Sequence, residues 1–130
     1  MPESALGRWL RGLREARDLS LRDVAQRSGV DHAYIYRLET GAKEAPSEDV
    51  ITKLIGALVP PTRDAEILRF LAGNPNVDPG LAEFASKDPS VSARHFQVLT
   101  TVVNRGARAD YATSLARIRR FMEEEDEDDG

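Results

Sequence analysis

Leu19–Gly41 reads LSLRDVAQRSGVDHAYIYRLETG, and its punctuation decides the fold. Ser20 stands before Leu21-Arg22-Asp23-Val24-Ala25. There a serine oxygen can accept from the first backbone N–H groups of a helix, and an acid at the third helical position can reach back to the serine's own amide. The spacing predicts a short helix from Leu21 to about Ser28. Gly29 supplies the positive backbone dihedral of a tight turn, Val30 plugs inward, and Asp31 is placed to cap a helix from His32 to about Thr40, which Gly41 ends.

Helical periodicity continues on both sides. Leu6, Trp9, Leu10 and Leu13 recur at helical spacing and predict a helix from about Ser4 to Arg17. Downstream, Ser47 with Glu48 and Asp49 is a helix start, Val50, Ile51, Leu54, Ile55 and Leu58 form an apolar face, and Pro60 and Pro61 stop it. Thr62 is read as the cap of a fifth helix bearing Ala65, Leu68 and Leu71, and Gly73-Asn74-Pro75-Asn76 is a turn or linker. Beyond it, Asp78-Pro79 opens a short helix with Leu81 and Phe84. Ser92 caps another with Phe96, Leu99, Val102 and Val103, closed by Asn104 to Gly106. The last helix is expected from about Ala107 to Met122, with Tyr111, Leu115, Ile118 and Met122 on one stripe. No strand pattern competes. The expected architecture is all-α: a five-helix head over residues 1–73, a small helical region over 74–122, and a disordered acidic tail over 123–130, whose run of acids has no apolar anchor.

A net charge of -4 over 130 residues conceals an uneven distribution. Residues 1–60 hold nine basic and nine acidic groups, residues 61–122 nine and six, and residues 123–130 seven acids. Without the tail the chain carries +3, and affinity for a polyanion follows the local charge facing it rather than the whole-chain sum. The chain has no cysteine and two histidines, His32 and His95, so a disulfide framework and a thiolate or histidine metal cluster are not expected. His95, with no partner histidine or cysteine, is read as solvated or internally satisfied. The longest apolar run, Leu54 to Val59, falls far short of the ~20 residues that span a bilayer, so a cytoplasmic location without membrane association is expected.

Two short helices joined through Gly29 cross steeply and leave the second protruding at a width that fits a DNA major groove. Leu6 to Leu58, about 40% of the chain, resembles the phage-repressor or Cro-like (XRE) helix-turn-helix family. The resemblance lies in Leu10, Leu13, Arg14, Leu19, Ser20, Val24, Ala25, Gly29, Val30, Tyr34, Ile35, Leu38, Glu39, Gly41, Pro46 and Leu54. It implies an ion pair between Arg14 and Glu39, with Val24, Ala25, Val30, Ile35 and Leu38 facing the core. It also implies base-reading positions at His32, Ala33, Tyr36 and Arg37. Arg37 is the strongest candidate for a guanine reader, because its fork can pair with O6 and N7 together. Ser20, Arg22, Thr40 and Lys43 take the positions of phosphate contacts, which set register without reading sequence. The family often has glutamine directly after the capping serine, where this chain has Leu21, and Asp31 and Glu44 bring negative charge near the proposed surface.

The function expected from this resemblance is that of a sequence-specific, double-stranded-DNA-binding transcriptional regulator, a homodimeric repressor reading with helix 32–40. The alternative is an antitoxin-like protein whose C-terminal half binds and neutralises a protein partner, with autoregulation by DNA binding. The stripe Tyr111, Leu115, Ile118, Met122 is read either as core or as a dimer contact. Arg117, Arg119 and Arg120 are read as a solvated face, or as cations for which the acidic tail competes with DNA phosphate in cis. No paired nucleophile and base, glycine-rich phosphate loop or metal-ligand spacing is present, so neither an enzyme nor a cofactor is expected.

Overall fold

The computed structural model describes residues 4–42, 46–103 and 110–128, and every regular element among them is a helix. The order is α1 (Ala5–Glu15), α2 (Leu21–Ser28), α3 (His32–Thr40), α4 (Glu48–Leu58), α5 (Thr62–Gly73), α6 (Pro79–Lys87), α7 (Ala93–Val103) and α8 (Tyr111–Asp128). Local signals fix most boundaries. The hydroxyl of Ser4 accepts from the Gly7 amide, that of Ser47 from Val50 and that of Ser92 from His95. The Asp78 carboxylate accepts from Gly80, behind the proline that opens α6. Each bond satisfies an amide that the helix itself leaves unpaired.

Four boundaries, in three helices, differ from the sequence expectation. α1 stops at Glu15 rather than Arg17, and the chain leaves it through Asp18 at φ 54°. Thr62 is the first residue of α5, preceded by Pro61, which offers no side-chain cap. α8 begins at Tyr111, where Asp110 accepts from the Ala112 amide and the Thr113 hydroxyl. It then continues to Asp128, through the segment expected to be irregular from Glu123 onward. Glutamate is a good helix former, and extending an existing helix needs no new nucleus. The expected closure at Asn104–Gly106 and the expected start at Ala107 lie outside the described residues.

The helices after Asn74 pack onto the first five. α6 lies along α1, α7 packs on α5, and α8 on α7. Trp9 on α1 and Phe70 on α5 both meet Phe96 on α7, at ring-centroid distances of 6.4 and 6.1 Å. Arg63 binds this seam: its guanidinium sits 5.4 Å from the Trp9 ring and donates to the carbonyls of Ala85, Asp88 and Val91 at the end of α6 and just beyond. Those are carbonyls that a helix terminus leaves open, so one cation closes α6 and ties it to α5. His95, on α7, keeps its Nδ1 buried with no hydrogen-bond partner among the described residues. Burial, seconded by Arg119 and Arg94, lowers its pKa and favours the neutral ring.

The stripe expected as core or dimer contact is turned inward. Leu115 and Ile118 are buried, Met122 is half-buried, and Tyr111 packs on Phe84 of α6 at 5.5 Å. These four positions therefore dock α8 within the chain instead of presenting a free dimer seam. The Tyr111 hydroxyl donates to the Asp78 carboxylate, and burial first, then that acid, raises the phenol to about 12. Folding thus holds the phenolic proton more tightly than the unfolded chain does. The contact stabilises fully below pH about 10, the ordinary tyrosine value, and that stabilisation is lost as pH climbs through about 12. The ultraviolet phenolate titration of the native protein is expected to lose its most alkaline component in Tyr111→Phe. Loss of a component that titrates no higher than those of the other two tyrosines would show that the Asp78 contact is not formed.

Val59 closes α4 in the left-handed region, at φ 45° and ψ 56°, and the residue is 75% exposed. A β-branched residue gains nothing there to offset a strain of about 1–2 kcal/mol. Val59→Gly removes the strain but loosens the unfolded chain, so a net stabilisation of about 1 kcal/mol or slightly less is expected. The melting temperature should rise by about 3 °C; a fall would show that the Val59 side chain makes a contact worth more than the strain.

Candidate nucleic-acid interface

The unit α2–turn–α3 is built as its residues dictate. The Ser20 hydroxyl accepts from the Asp23 amide at 3.0 Å, and the Asp23 carboxylate accepts from the Ser20 amide at 2.9 Å. The Ser20 amide, seconded by its hydroxyl, holds the Asp23 carboxyl below its ordinary pKa. Gly29 ends α2 at φ 76° and ψ 8°, a conformation in which any Cβ is strained, and its amide donates to the Ala25 carbonyl. Val30 then turns inward onto the core, and Ile35 and Leu38 anchor the inner face of α3. Val24 is fully buried, whereas Ala25, expected beside it in the core, is half-buried at the edge.

Beneath α3 lies an ion pair. Arg14 Nε and a terminal nitrogen donate to the two carboxylate oxygens of Glu39 at 2.8 and 2.9 Å, and its other terminal nitrogen donates to the Leu19 carbonyl at 2.8 Å. The Glu39 side chain is 4% exposed and that of Arg14 15%. The hydrogen bond to Glu39 raises the Arg14 pKa against the opposing effect of burial. One guanidinium thereby joins α1, the chain entering α2 and the last turn of α3. Gly7 completes the joint, because a Cβ there would stand 2.5 Å from the carbonyl oxygens of both Leu38 and Glu39. Only a residue without a side chain lets α1 approach the end of α3 so closely.

The outer face of α3 is open. His32, Ala33, Tyr36 and Arg37 are all exposed, at positions that share one side of a helix, and Tyr36 keeps 55% of its surface in water. α3 packs on α1 and α2 beneath this face, while α6 to α8 attach on the α1 and α5 side. Ser20 and Arg22 are exposed at the start of α2, and Thr40 is half-buried at the end of α3, its hydroxyl donating to the Arg37 carbonyl. Lys43 and Glu44 lie outside the described residues. An open hollow between α2 and α3 is lined by Arg22, Gln26, Gly29 and His32. Gln26 was not singled out from the sequence; its signal is its place one turn after Arg22 on the exposed side of α2.

Residues 5–68 match the model of a helix-turn-helix domain family. An uncharacterized HTH-type transcriptional regulator of Mycobacterium tuberculosis, in strains CDC 1551 / Oshkosh and ATCC 25618 / H37Rv, is 31% identical over 98 residues. The similarity covers 74% of this chain and 67% of the relative. The chain belongs to the XRE-like helix-turn-helix family.

Within this helix-turn-helix protein two features alter the expected surface. Leu21, where a polar anchor was missing from the sequence, is half-buried and packs against the core. Asp31 occupies the position before α3, but its side chain makes no capping bond. Its carboxylate lies 3.7 Å from His32 Nδ1 instead. The leading edge of α3 therefore carries an acid beside its first base-reading candidate. Among the described residues no helix is long and apolar enough to cross a membrane, and no cluster of histidine, aspartate and glutamate could hold a metal ion.

Proposed function

We propose that the chain is a sequence-specific DNA-binding transcriptional regulator, a dimeric repressor that reads the major groove with α3. The reading is carried by one observation: four side chains capable of meeting base edges stand exposed on α3, above a buried ion pair that fixes the helix to α1. The family membership and the regulator-named relatives support DNA binding and transcriptional control.

Each residue then has a role. Arg37 offers two parallel donors to guanine O6 and N7, His32 donates or accepts at a neighbouring base, Tyr36 packs beside them, and Ala33 leaves room for a thymine methyl. Ser20, Arg22, Thr40 and Lys43 hold phosphates at either end and set the depth of α3. Residues 1–73 act as the reading head, and residues 74–122 brace it and supply dimerisation or partner binding. One α3 covers only a few base pairs, so two heads bind half-sites about one helical turn, ~34 Å, apart and exclude polymerase. Selection of bound duplexes from a random pool should return a two-fold symmetric consensus. Failure to enrich any sequence over the input pool would sink this reading.

A further inference from the structure

A cleft of about 550 Å³ opens between α1, α5 and α6, and none of its described lining residues belongs to α2 or α3. That size takes a small organic molecule. Trp9 and Leu13 of α1, with Ala82 of α6, give it an apolar floor. Its walls are charged. Arg8, Arg11, Arg17, Arg63 and Lys87 line it against only three acids, so the described lining residues carry two more positive than negative charges. Each acid is already engaged: Glu15 accepts from Arg11 at 2.5 Å, Asp64 from Arg63 at 2.8 Å, and Glu83 from both Arg8 at 2.6 Å and Lys87 at 3.1 Å. Arg17 donates to the carbonyls of Leu13 and Val59, one from each terminal nitrogen, and has no carboxylate partner among the described residues. A guanidinium has five N–H donors, so Arg17 keeps some for a further acceptor. The Lys87 side chain is 74% exposed.

Gly12 lies on the α1 wall of this cleft. A glycine inside a helix costs about 0.5–1 kcal/mol relative to alanine. At Gly7 the backbone of α3 requires it, but a Cβ on Gly12 would meet nothing within 4 Å, and Gly12 has no positive φ. Neither the fold of the helix nor a neighbour calls for the missing side chain; what its absence leaves is room in the cleft.

We propose that this cleft binds a small organic dianion, a phosphate monoester or a dicarboxylate, its charge met by Arg17 and Lys87 and its carbon body lying over Trp9 and Leu13. The excess of cations selects the sign of the ligand, since a cleft lined by one sign of charge concentrates the opposite one. The apolar floor favours an anion with a carbon body over a bare inorganic ion. On its other faces α1 holds the end of α3 through Arg14 and Gly7, so ligand and reading helix grip one element from two sides. The inference goes beyond the regulator reading and does not depend on it.

Trp9 is the single tryptophan of the chain, so its fluorescence reports directly on the floor of the cleft. The full chain is titrated with phenyl phosphate and with phthalate, and with benzyl alcohol and inorganic phosphate as the uncharged and the carbon-free comparisons. At least one dianion is expected to give a saturable change at a concentration about tenfold lower than either comparison, the scale of two partly exposed ion pairs. Whichever dianion binds more tightly tells phosphate from carboxylate recognition. Binding should weaken as salt shortens the screening length from about 10 Å at 0.1 M to about 3 Å at 1 M. Arg17→Gln should remove most of the advantage of the dianion over benzyl alcohol. Gly12→Leu should abolish the saturable change while the melting temperature holds or rises, because leucine is the better helix former, so the loss cannot come from unfolding. No saturable change with either dianion, equal affinity for either comparison, or binding indifferent to Gly12→Leu overturns the proposal. The titration contains no DNA, so its failure leaves the regulator reading standing, and a chain that selects no DNA sequence leaves the cleft standing.

Discussion

Arg14→Ala is expected to cost about 3–5 kcal/mol of folding stability, because it strips the only bidentate partner from a Glu39 carboxylate that is 4% exposed among the described side chains. Glu39→Ala should cost a similar amount by leaving the guanidinium half-committed to the Leu19 carbonyl. Against a typical total of about 5–15 kcal/mol, either change takes a large share of the stability. The effect should reach DNA binding too, since the pair sets where the end of α3 lies relative to α1. Replacing both partners together with apolar residues of similar volume should recover much of the loss, because neither then leaves a buried charge unpaired. Urea denaturation of the two single variants and the apolar double variant measures this. Losses near 1 kcal/mol or less, the scale of an exposed surface pair, would show that water reaches Glu39 and that the joint is not the clamp described.

What could be read in advance, and what could not, follows from the range of each signal. The bounds of α2 and α3 fall at Leu21–Ser28 and His32–Thr40 as the spacing predicted, because a serine cap, two glycines and a reciprocal acid act within a few residues of where they stand. The inner faces of the helices were legible for the same reason. Their partners were not. Periodicity showed that Tyr111, Leu115, Ile118 and Met122 share a stripe, but whether that stripe meets a second copy or α6 and α7 depends on tertiary packing that no local pattern encodes. Gly7 escaped notice because its role is a contact 2.5 Å from backbone two helices away, and an absent side chain leaves no periodic trace. Arg63 was equally silent, since its acceptors are backbone carbonyls 22 to 28 residues further on. The end of α8 was misplaced for a different reason: lack of apolar anchors removes tertiary support, but not the intrinsic preference of glutamate for helix.

Arg37→Ala should separate reading from mere attachment. Its side chain is exposed on the outer face of α3, and Leu38 and Glu39 next to it carry the packing, so removing the guanidinium should leave the fold intact. If the fork pairs with guanine O6 and N7, the variant should lose about 1–3 kcal/mol of discrimination, roughly five- to 150-fold, at one position of each half-site, and tolerate other bases there. Affinity for unrelated duplex should fall much less, because that affinity comes from phosphate contacts made elsewhere. Arg22→Ala gives the contrasting pattern: a weakening that is uniform across sequences and a shallower dependence on salt, by about one unit of slope. Repeating the random-sequence selection with each variant, and titrating salt with one fixed duplex, distinguishes the two roles. Should Arg37→Ala weaken every sequence equally and flatten the salt dependence, Arg37 is a phosphate contact, and the base-reading edge of α3 shifts to His32, Tyr36 and the Gln26-lined hollow beside them.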